Sequence, residues 1–174
     1  MKRLLVLLVA ACGGSQPAPT ATPATPTPAT TAPASNGITL CELKFYEGDV
    51  ARLALHADGK LEANMRGDKP GEKDAWTTVA QLTADGKISG GGQPVGELRP
   101  DGTFVAPNGQ TADFKLEGDV LVAGDKRVSL DDKGVLQGGN PGSEKLHVEG
   151  AVDAASRRTA LFILAVMIST GSEH

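Results

Sequence analysis

The sequence predicts a mainly β protein: an antiparallel meander of short hairpin repeats, curled or barrel-like, with one C-terminal hydrophobic helix packed on or inside the sheet. Three observations lead to this fold class. Glycines recur with a period of 16 residues, apolar and polar residues alternate between them, and an uninterrupted apolar run lies near the C-terminus. Aromatic residues are 3% of the chain, so aliphatic side chains must build most of the core.

The glycine period defines the repeat unit. A large apolar residue lies four positions before each regularly spaced glycine, and another lies two positions after it. Asp-Gly pairs supply the positive φ that tight hairpin turns need, so each unit is expected to hold two short strands and two turns, giving roughly ten to twelve strands in all. The predicted structural turns are at Gly59, an earlier copy out of step with the others, and at Gly86, Gly102, Gly118, Gly134 and Gly150.

The period-two alternation predicts one apolar face along the whole meander. Cys41 lies in a segment that resembles a further strand, where it is expected to act as a small buried hydrophobe rather than a reactive thiol. The residues assigned to the apolar face are Leu82, Leu98, Phe114, Leu130 and Leu146 before the turns, and Ile88, Phe104, Val120, Val122, Leu136 and Val152 after them.

The C-terminal segment breaks the strand pattern. Asp153 is a suitable N-cap residue, residues 160–168 are all apolar, and Gly171 stands where a helix would end. The apolar run is too short to cross a bilayer core of about 30 Å, so we expect the helix to be buried against the apolar face of the sheet. Arg157 and Arg158 are expected to pair with acidic side chains at its rim.

The N-terminus combines Lys2 and Arg3 with a short apolar run that ends in Val9-Ala10-Ala11-Cys12. This arrangement resembles the signal peptide and lipobox of bacterial lipoproteins. The resemblance implies cleavage before Cys12, attachment of diacylglycerol to its sulfur, and acylation, for example by palmitate, of the new amino terminus. Gly13 stands where inner-membrane lipoproteins usually carry Asp, which implies the outer membrane as the destination of this exported protein.

The domain organisation follows from these segments. Residues 1–11 are the predicted signal peptide, and residues 12–37 are the lipidated cysteine with a disordered tether rich in Pro, Thr and Ala. Residues 38–152 form the β-hairpin repeat domain, and residues 153–174 form the C-terminal helix and tail. Arg66 to Ala75 is expected to be a longer loop within the repeats.

The motif search yields no catalytic, cofactor-binding or metal-binding residues. His56, His147 and His174 lack partners at the spacing of metal ligands, and Asp131-Asp132 is explained by turn geometry. Gly90-Gly91-Gly92 lacks the Lys-Ser/Thr of a phosphate loop and is expected to be a turn. Arg66-Gly67-Asp68 matches an adhesion tripeptide but is better interpreted as a solvated loop.

Net charge limits the partners. Removing Lys2 and Arg3 from 17 basic residues leaves 15, against 21 acidic ones, which argues against nucleic acid and against electrostatic attraction to anionic lipid headgroups. We therefore expect a non-enzymatic, lipid-anchored envelope protein whose β-repeat domain is a structural or interaction module. The alternative is a barrel-like periplasmic carrier of an apolar ligand, with the helix as its lid; an envelope enzyme ranks third. The expected partners are the membrane, an envelope protein or an apolar ligand.

Overall fold

The computed structural model describes residues 36–65, 73–139 and 145–171. These residues form twelve strands and one helix. The strands are β1 (Leu43–Glu47), β2 (Val50–Leu55), β3 (Lys60–Asn64), β4 (Trp76–Leu82), β5 (Lys87–Gly90), β6 (Gln93–Leu98), β7 (Thr103–Val105), β8 (Thr111–Glu117), β9 (Val120–Ala123), β10 (Lys126–Leu130), β11 (Leu136–Gln137) and β12 (Leu146–Glu149), and the helix is α1 (Ala154–Gly171).

The twelve strands form one antiparallel sheet that curls into a nearly closed barrel. From β1 to β11 each strand pairs with the next in the sequence, while β12 returns to pair with the free side of β1. A single bridge between Val135 and His147 joins the two ends of the sheet, and the amide of Val148 donates to the carbonyl oxygen of Gly134 over 2.8 Å. The predicted fold class, a mainly β meander with one C-terminal helix against the sheet, is confirmed.

One end of the barrel is built from copies of the same hydrogen-bonded turn. In the copy that begins at Arg99, the Arg99 amide donates to Thr103, the Gly102 amide donates to Arg99, and the Gly102 carbonyl accepts from Leu116 in the next hairpin. Each turn is thus bonded both within itself and to its neighbour. The same three bonds recur in the turns that begin at His56, Thr83 and Asp131, whose glycines are Gly59, Gly86 and Gly134.

The apolar residues on either side of these turns face each other across the strands and point into the barrel. Leu82 pairs with Ile88, and Leu98 pairs with Phe104, all at most 6% exposed. The pairs Leu55 with Leu61 and Leu130 with Leu136 repeat this arrangement. The 16-residue spacing therefore places one cross-strand apolar pair behind each of these turns, which is how the repeat produces a continuous core.

The unit at Gly118 departs from the predicted pattern. The sequence assigned Val120 and Val122 to the apolar face, but in β9 the buried residue is Leu121, and both valines are half-buried. Gly118 lies in a two-residue turn, so Glu117 pairs with Val120 and Leu116 pairs with Leu121. Because the other turns separate their apolar pairs by five residues and this one by four, the side chains of β9 change face.

The segment before β1 and the residue after Gly150 also differ from expectation. Cys41 is not in a strand. In the segment before β1, the amide and carbonyl of Thr39 bond to the Thr159 hydroxyl of α1 rather than to a neighbouring strand. Cys41 is nevertheless half-buried against the core. Val152 is 81% exposed because the chain leaves the sheet after Gly150 and begins a helix, and Val148 fills the core in its unit.

Replacing Gly102 with Ala should destabilise the barrel strongly. Gly102 has φ of +86°, and a Cβ atom there would overlap the carbonyl oxygen of Leu116, which also belongs to the turn-to-turn bond. Gly109 has φ of +82° but no atom within 4 Å of the same position, so Gly109→Ala carries the backbone strain alone, about 1–2 kcal/mol. Urea denaturation should give a larger loss of unfolding free energy for Gly102→Ala. Equal losses would show that the packing of adjacent turns adds nothing.

Candidate functional site

The helix α1 enters the barrel at the end that carries the repeated turns, and its middle is enclosed. Thr159, Ala160, Leu161, Phe162 and Ile163 are all 0% exposed. Five consecutive residues point to every side of an α-helix, so this turn of α1 is surrounded by protein. Phe162 contacts the ring of Phe104 at 5.7 Å between centroids, and α1 packs against β8, β9 and β10. The helix therefore fills the barrel at this level.

The start of α1 is fixed by a reciprocal cap. Asp153 Oδ1 accepts the backbone N–H of Ser156 over 2.7 Å, and the Ser156 hydroxyl oxygen accepts the backbone N–H of Asp153 over 3.0 Å. This satisfies donors that the first turn of a helix otherwise leaves without partners. Two hydrogen bonds from Ser156 hold the pKa of Asp153 below its ordinary value. The bond from the Ser156 backbone N–H has the larger effect, and the bond from its hydroxyl has the smaller one.

Arg157 and Arg158 tie the start of the helix to the barrel in two different ways. Arg157 forms ion pairs with Asp119, in the β8–β9 turn, at 3.2 Å, and with Asp132, in the β10–β11 turn, at 3.4 Å. Arg158 instead donates to main-chain carbonyls, those of Asn36 at 2.8 Å and Gly118 at 2.5 Å. The expectation of acidic partners thus holds for Arg157, whereas Arg158 bonds to backbone oxygens of the segment ahead of β1 and of the β8–β9 turn.

The segment ahead of β1 is held against the other side of the helix. The hydroxyl of Thr159 accepts the Thr39 amide over 3.0 Å and lies 3.1 Å from the Thr39 carbonyl oxygen. Asn36, 7% exposed, turns its side-chain oxygen to the amide of Ile38. Asn36 and Thr39 therefore hold this segment against the first turns of α1.

An apolar cleft of about 330 Å³ lies beside the second half of α1. The helix forms one wall and strands β8, β9 and β10 form the other, with the ends of the sheet at β11 and β12 bordering it. Among the described residues, its lining includes one charged side chain, Lys126, and otherwise mostly aliphatic groups. The lining residues are Phe114, Leu121, Ala123, Lys126, Val128, Leu136, Gly139, Leu146, Leu161, Leu164, Ala165, Ile168 and Ser169.

The sequence reasoning did not locate this cleft. Its volume arises because two small residues, Ala123 on β9 and Ala165 on α1, both lie in its lining. Ala123 is on the inner face because of the short turn at Gly118, which the 16-residue period does not reveal. The signal that could have found it is the spacing Leu116 to Leu121, one residue shorter than the corresponding spacing in neighbouring units.

Two of the three histidines that the sequence singled out, His56 and His147, lie on the strands and turns of the sheet. His56 lies between two carboxylates, with Nδ1 3.3 Å from Glu42 and Nε2 2.9 Å from Glu62. His147 stacks on Tyr46 with 4.6 Å between ring centroids. Among the described residues, no group of three or more His, Cys, Asp and Glu side chains is arranged to hold a metal ion.

The remaining predicted positions are either in turns or outside the described residues. The turn glycines Gly59, Gly86, Gly102, Gly118, Gly134 and Gly150 all have positive φ. Gly91 and Gly92 form the turn between β5 and β6. Cys12 with the lipobox, residues 12–35 of the predicted tether, Arg66-Gly67-Asp68 and His174 all lie outside the described ranges, whereas Asn36, at the end of the predicted tether, is held by Arg158.

Cys41 faces an environment that disfavours ionisation. Burial, and after it the negative charges of Asp153 and Glu42, raises the pKa of the Cys41 thiol. Because the thiolate is the nucleophilic form, these surroundings oppose reactivity at this sulfur.

Comparison of the chain with protein-family models, curated protein sequences and solved structures gives no match. The function must therefore be argued from the geometry of the barrel, its helix and the cleft between them. No helix among the described residues has the length and apolar character that crossing a membrane requires.

Truncating Phe162 should cost the barrel about 3–5 kcal/mol of unfolding free energy, the usual range for a fully buried Phe replaced by Ala. Ile168 lies on the same helix but is 64% exposed, so Ile168→Ala should change stability by less than about 0.5 kcal/mol. Urea denaturation followed by the fluorescence of Trp76 measures both. A small effect of Phe162→Ala would mean that α1 is not part of the cooperative core.

The unfolding free energy of the Asp153→Asn variant should fall less between neutral and acidic pH than that of the native chain. The pKa of Asp153 is lowered in the folded state, so its stabilising contribution is present above the ordinary Asp range and is lost as pH falls through the folded-state value. Asn keeps an acceptor oxygen at the N-cap but does not titrate in this range. Unfolding free energies measured from neutral to acidic pH should therefore decline less for the variant; parallel curves would contradict a titrating cap.

Proposed function

We propose that this protein is a non-enzymatic module of the bacterial cell envelope, exported and held to the membrane through a lipid on Cys12. In this proposal residues 12–35 act as a tether, since Asn36 is already held against the barrel, and the β-repeat barrel is a structural or interaction domain carried at its end. The proposed partners are the membrane, reached through the lipid, and an envelope protein.

The enclosure of α1 is the observation that carries the proposal. Catalysis and transport both need space in which a reacting or carried molecule is bound, and at the level of residues 159–163 the helix occupies that space. The barrel instead presents a rigid exterior with charges of both signs, such as Glu97 beside Arg99 and Glu117 beside Arg127. A rigid, solvated domain on a tether is suited to contacts with other molecules of the envelope.

The anchor is supported by the sequence of its first twelve residues. Lys2, Arg3, the apolar run and the small residues before Cys12 are the features that a lipoprotein signal combines. Two or more acyl chains give stable attachment, whereas a single chain binds only marginally. A diacylglyceryl group with a further N-acyl chain would therefore hold the protein without help from its acidic surface.

Replacing Cys12 with Ser should abolish both the incorporation of labelled palmitate and the recovery of the protein in the membrane fraction when it is expressed in a bacterium that processes lipoproteins. Cys41→Ser is the matched control, because it removes the other cysteine of the chain but leaves the lipobox intact. Labelling and membrane recovery should stay unchanged in the control. Membrane recovery of the Cys12→Ser protein would reject the anchor.

The apolar cleft favours a second candidate, a carrier or binder of an apolar ligand. At about 330 Å³, the cleft lies near the lower end of the range of roughly 300–1,000 Å³ found for ligand pockets. In this proposal α1 is a wall of the binding site as well as the core of the barrel.

Native mass spectrometry of the full-length Cys12→Ser protein distinguishes the two candidates. A carrier should retain lipid from the cell as a defined additional mass, and extraction with organic solvent should remove that mass. A structural module should show the mass of the bare chain. Recovery of bare chain from every preparation would count against the carrier.

A further inference from the structure

The cleft beside α1 differs from the other surface depressions in its chemistry. A wider groove on the outside of the sheet, about 630 Å³ in volume, mixes Lys87, Glu97 and Arg99 with prolines and glycines. A third depression is lined by Asp101, Lys115, Glu117 and Arg158 among other residues. Of these three sites, the cleft beside α1 has the most apolar lining, and the other two mix acidic with basic residues.

The cleft has a closed apolar end and an open end. Phe114, Leu121 and Leu161 are at most 8% exposed and form its inner part, while Ile168 is 64% exposed and stands at its opening. An apolar group placed between these side chains loses contact with water on most of its surface, which favours binding by roughly 25 cal/mol for each Å² buried. The volume suits one slender chain lying along the helix.

The polar groups of the lining indicate the charge of the ligand. Lys126, the first residue of β10, is exposed, and no carboxylate is part of the described lining. The Ser169 hydroxyl already donates to the Ala165 carbonyl over 2.8 Å, so within the described lining the charge of the head group is set by Lys126. The positive charge of Lys126 attracts an anionic head group. This attraction acts at a distance, so it is present also when the ammonium has contacts within the protein.

We infer that the cleft binds the single aliphatic chain of an anionic amphiphile such as a fatty acid, with the chain between α1 and strands β8 to β10 and the head group at Lys126. This inference rests on the second candidate function, because it names the ligand of the same cleft. The enclosed part of α1 keeps its place, since the ligand occupies the space beside the helix.

Isothermal titration calorimetry of the full-length Cys12→Ser protein tests the inference with three probes that share one chain: dodecanoate, dodecanol and dodecyltrimethylammonium, the two ionic probes below their micelle concentrations and dodecanol below its solubility limit. Dodecanoate should bind with one-to-one stoichiometry and more tightly than the other two. Lys126→Glu should weaken dodecanoate by about fivefold, the effect of a partly exposed charge pair, and should make the cationic probe the tighter ligand.

Two matched substitutions locate the binding site. Ala123→Leu places a larger side chain within the cleft and should weaken dodecanoate by at least about tenfold. Ala106→Leu makes the same change on the outer groove and should leave its affinity unchanged. Since Lys126 is exposed, the Lys126→Glu protein provides the charge test even if Ala123→Leu fails to fold.

The outcomes separate the ligand class from the carrier function. Equal binding of the three probes, each weakened by Ala123→Leu, would overturn the anionic head group and leave the carrier standing. Absence of binding by every probe would overturn both. Dodecanoate binding that Ala123→Leu does not affect, in a folded variant, would overturn the assignment to this cleft.

Discussion

The enclosure of α1 by the curled sheet is the constraint on which the rest of the structure depends. Each strand has an apolar side, and a two-layer arrangement must cover that side with something. The strands are short, from two to seven residues, and aromatic side chains are scarce, so the sheet alone has little material with which to fill its interior. Leu161, Phe162 and Ile163 supply it from a single helix, and Phe104 and Phe114 stack toward that helix from the strands.

The attachment of α1 is concentrated at one end. The Asp153 cap, the ion pairs of Arg157 and the carbonyl contacts of Arg158 all lie where the helix begins, beside the repeated turns. Toward its C-terminal end the helix becomes exposed, as at Met167 and Ile168, and the cleft opens beside it. The same helix is thus held where it enters the barrel and lines an apolar cleft where it leaves, so the proposed structural role and the proposed ligand-binding role are compatible.

The fold could be predicted from the sequence because its signals are local and repeated. The Asp-Gly turns fix where strands end, and the period-two alternation fixes which side of each strand is buried, as Leu82 and Leu98 illustrate. The apolar run of residues 160–168 is then expected to be buried against the apolar face of the sheet. These inferences need no knowledge of which distant residues meet.

The errors arose where the outcome depended on turn length or on distant partners. One residue fewer in the turn at Gly118 reversed the faces of β9, and with them the position of Ala123 in the cleft. Thr39 and Cys41 lie outside any strand because the partner of that segment, Thr159, is 120 residues away in sequence. The carbonyl partners of Arg158 could not be predicted either. Every residue has a main-chain oxygen, so the residue type does not show which oxygen will accept a hydrogen bond.

The hydrogen bond from Arg158 to the carbonyl of Asn36 has a mechanical consequence. A pull applied to the chain ahead of Asn36 meets Arg158 and Thr159 before it reaches β1, so the load passes into α1 and from there into the middle of the barrel. Peeling β1 away from β2 and β12 one bond at a time would first require these contacts to rupture together. The point where the chain enters the barrel is therefore reinforced against a pull, because the contacts with α1 carry the load before β1 does.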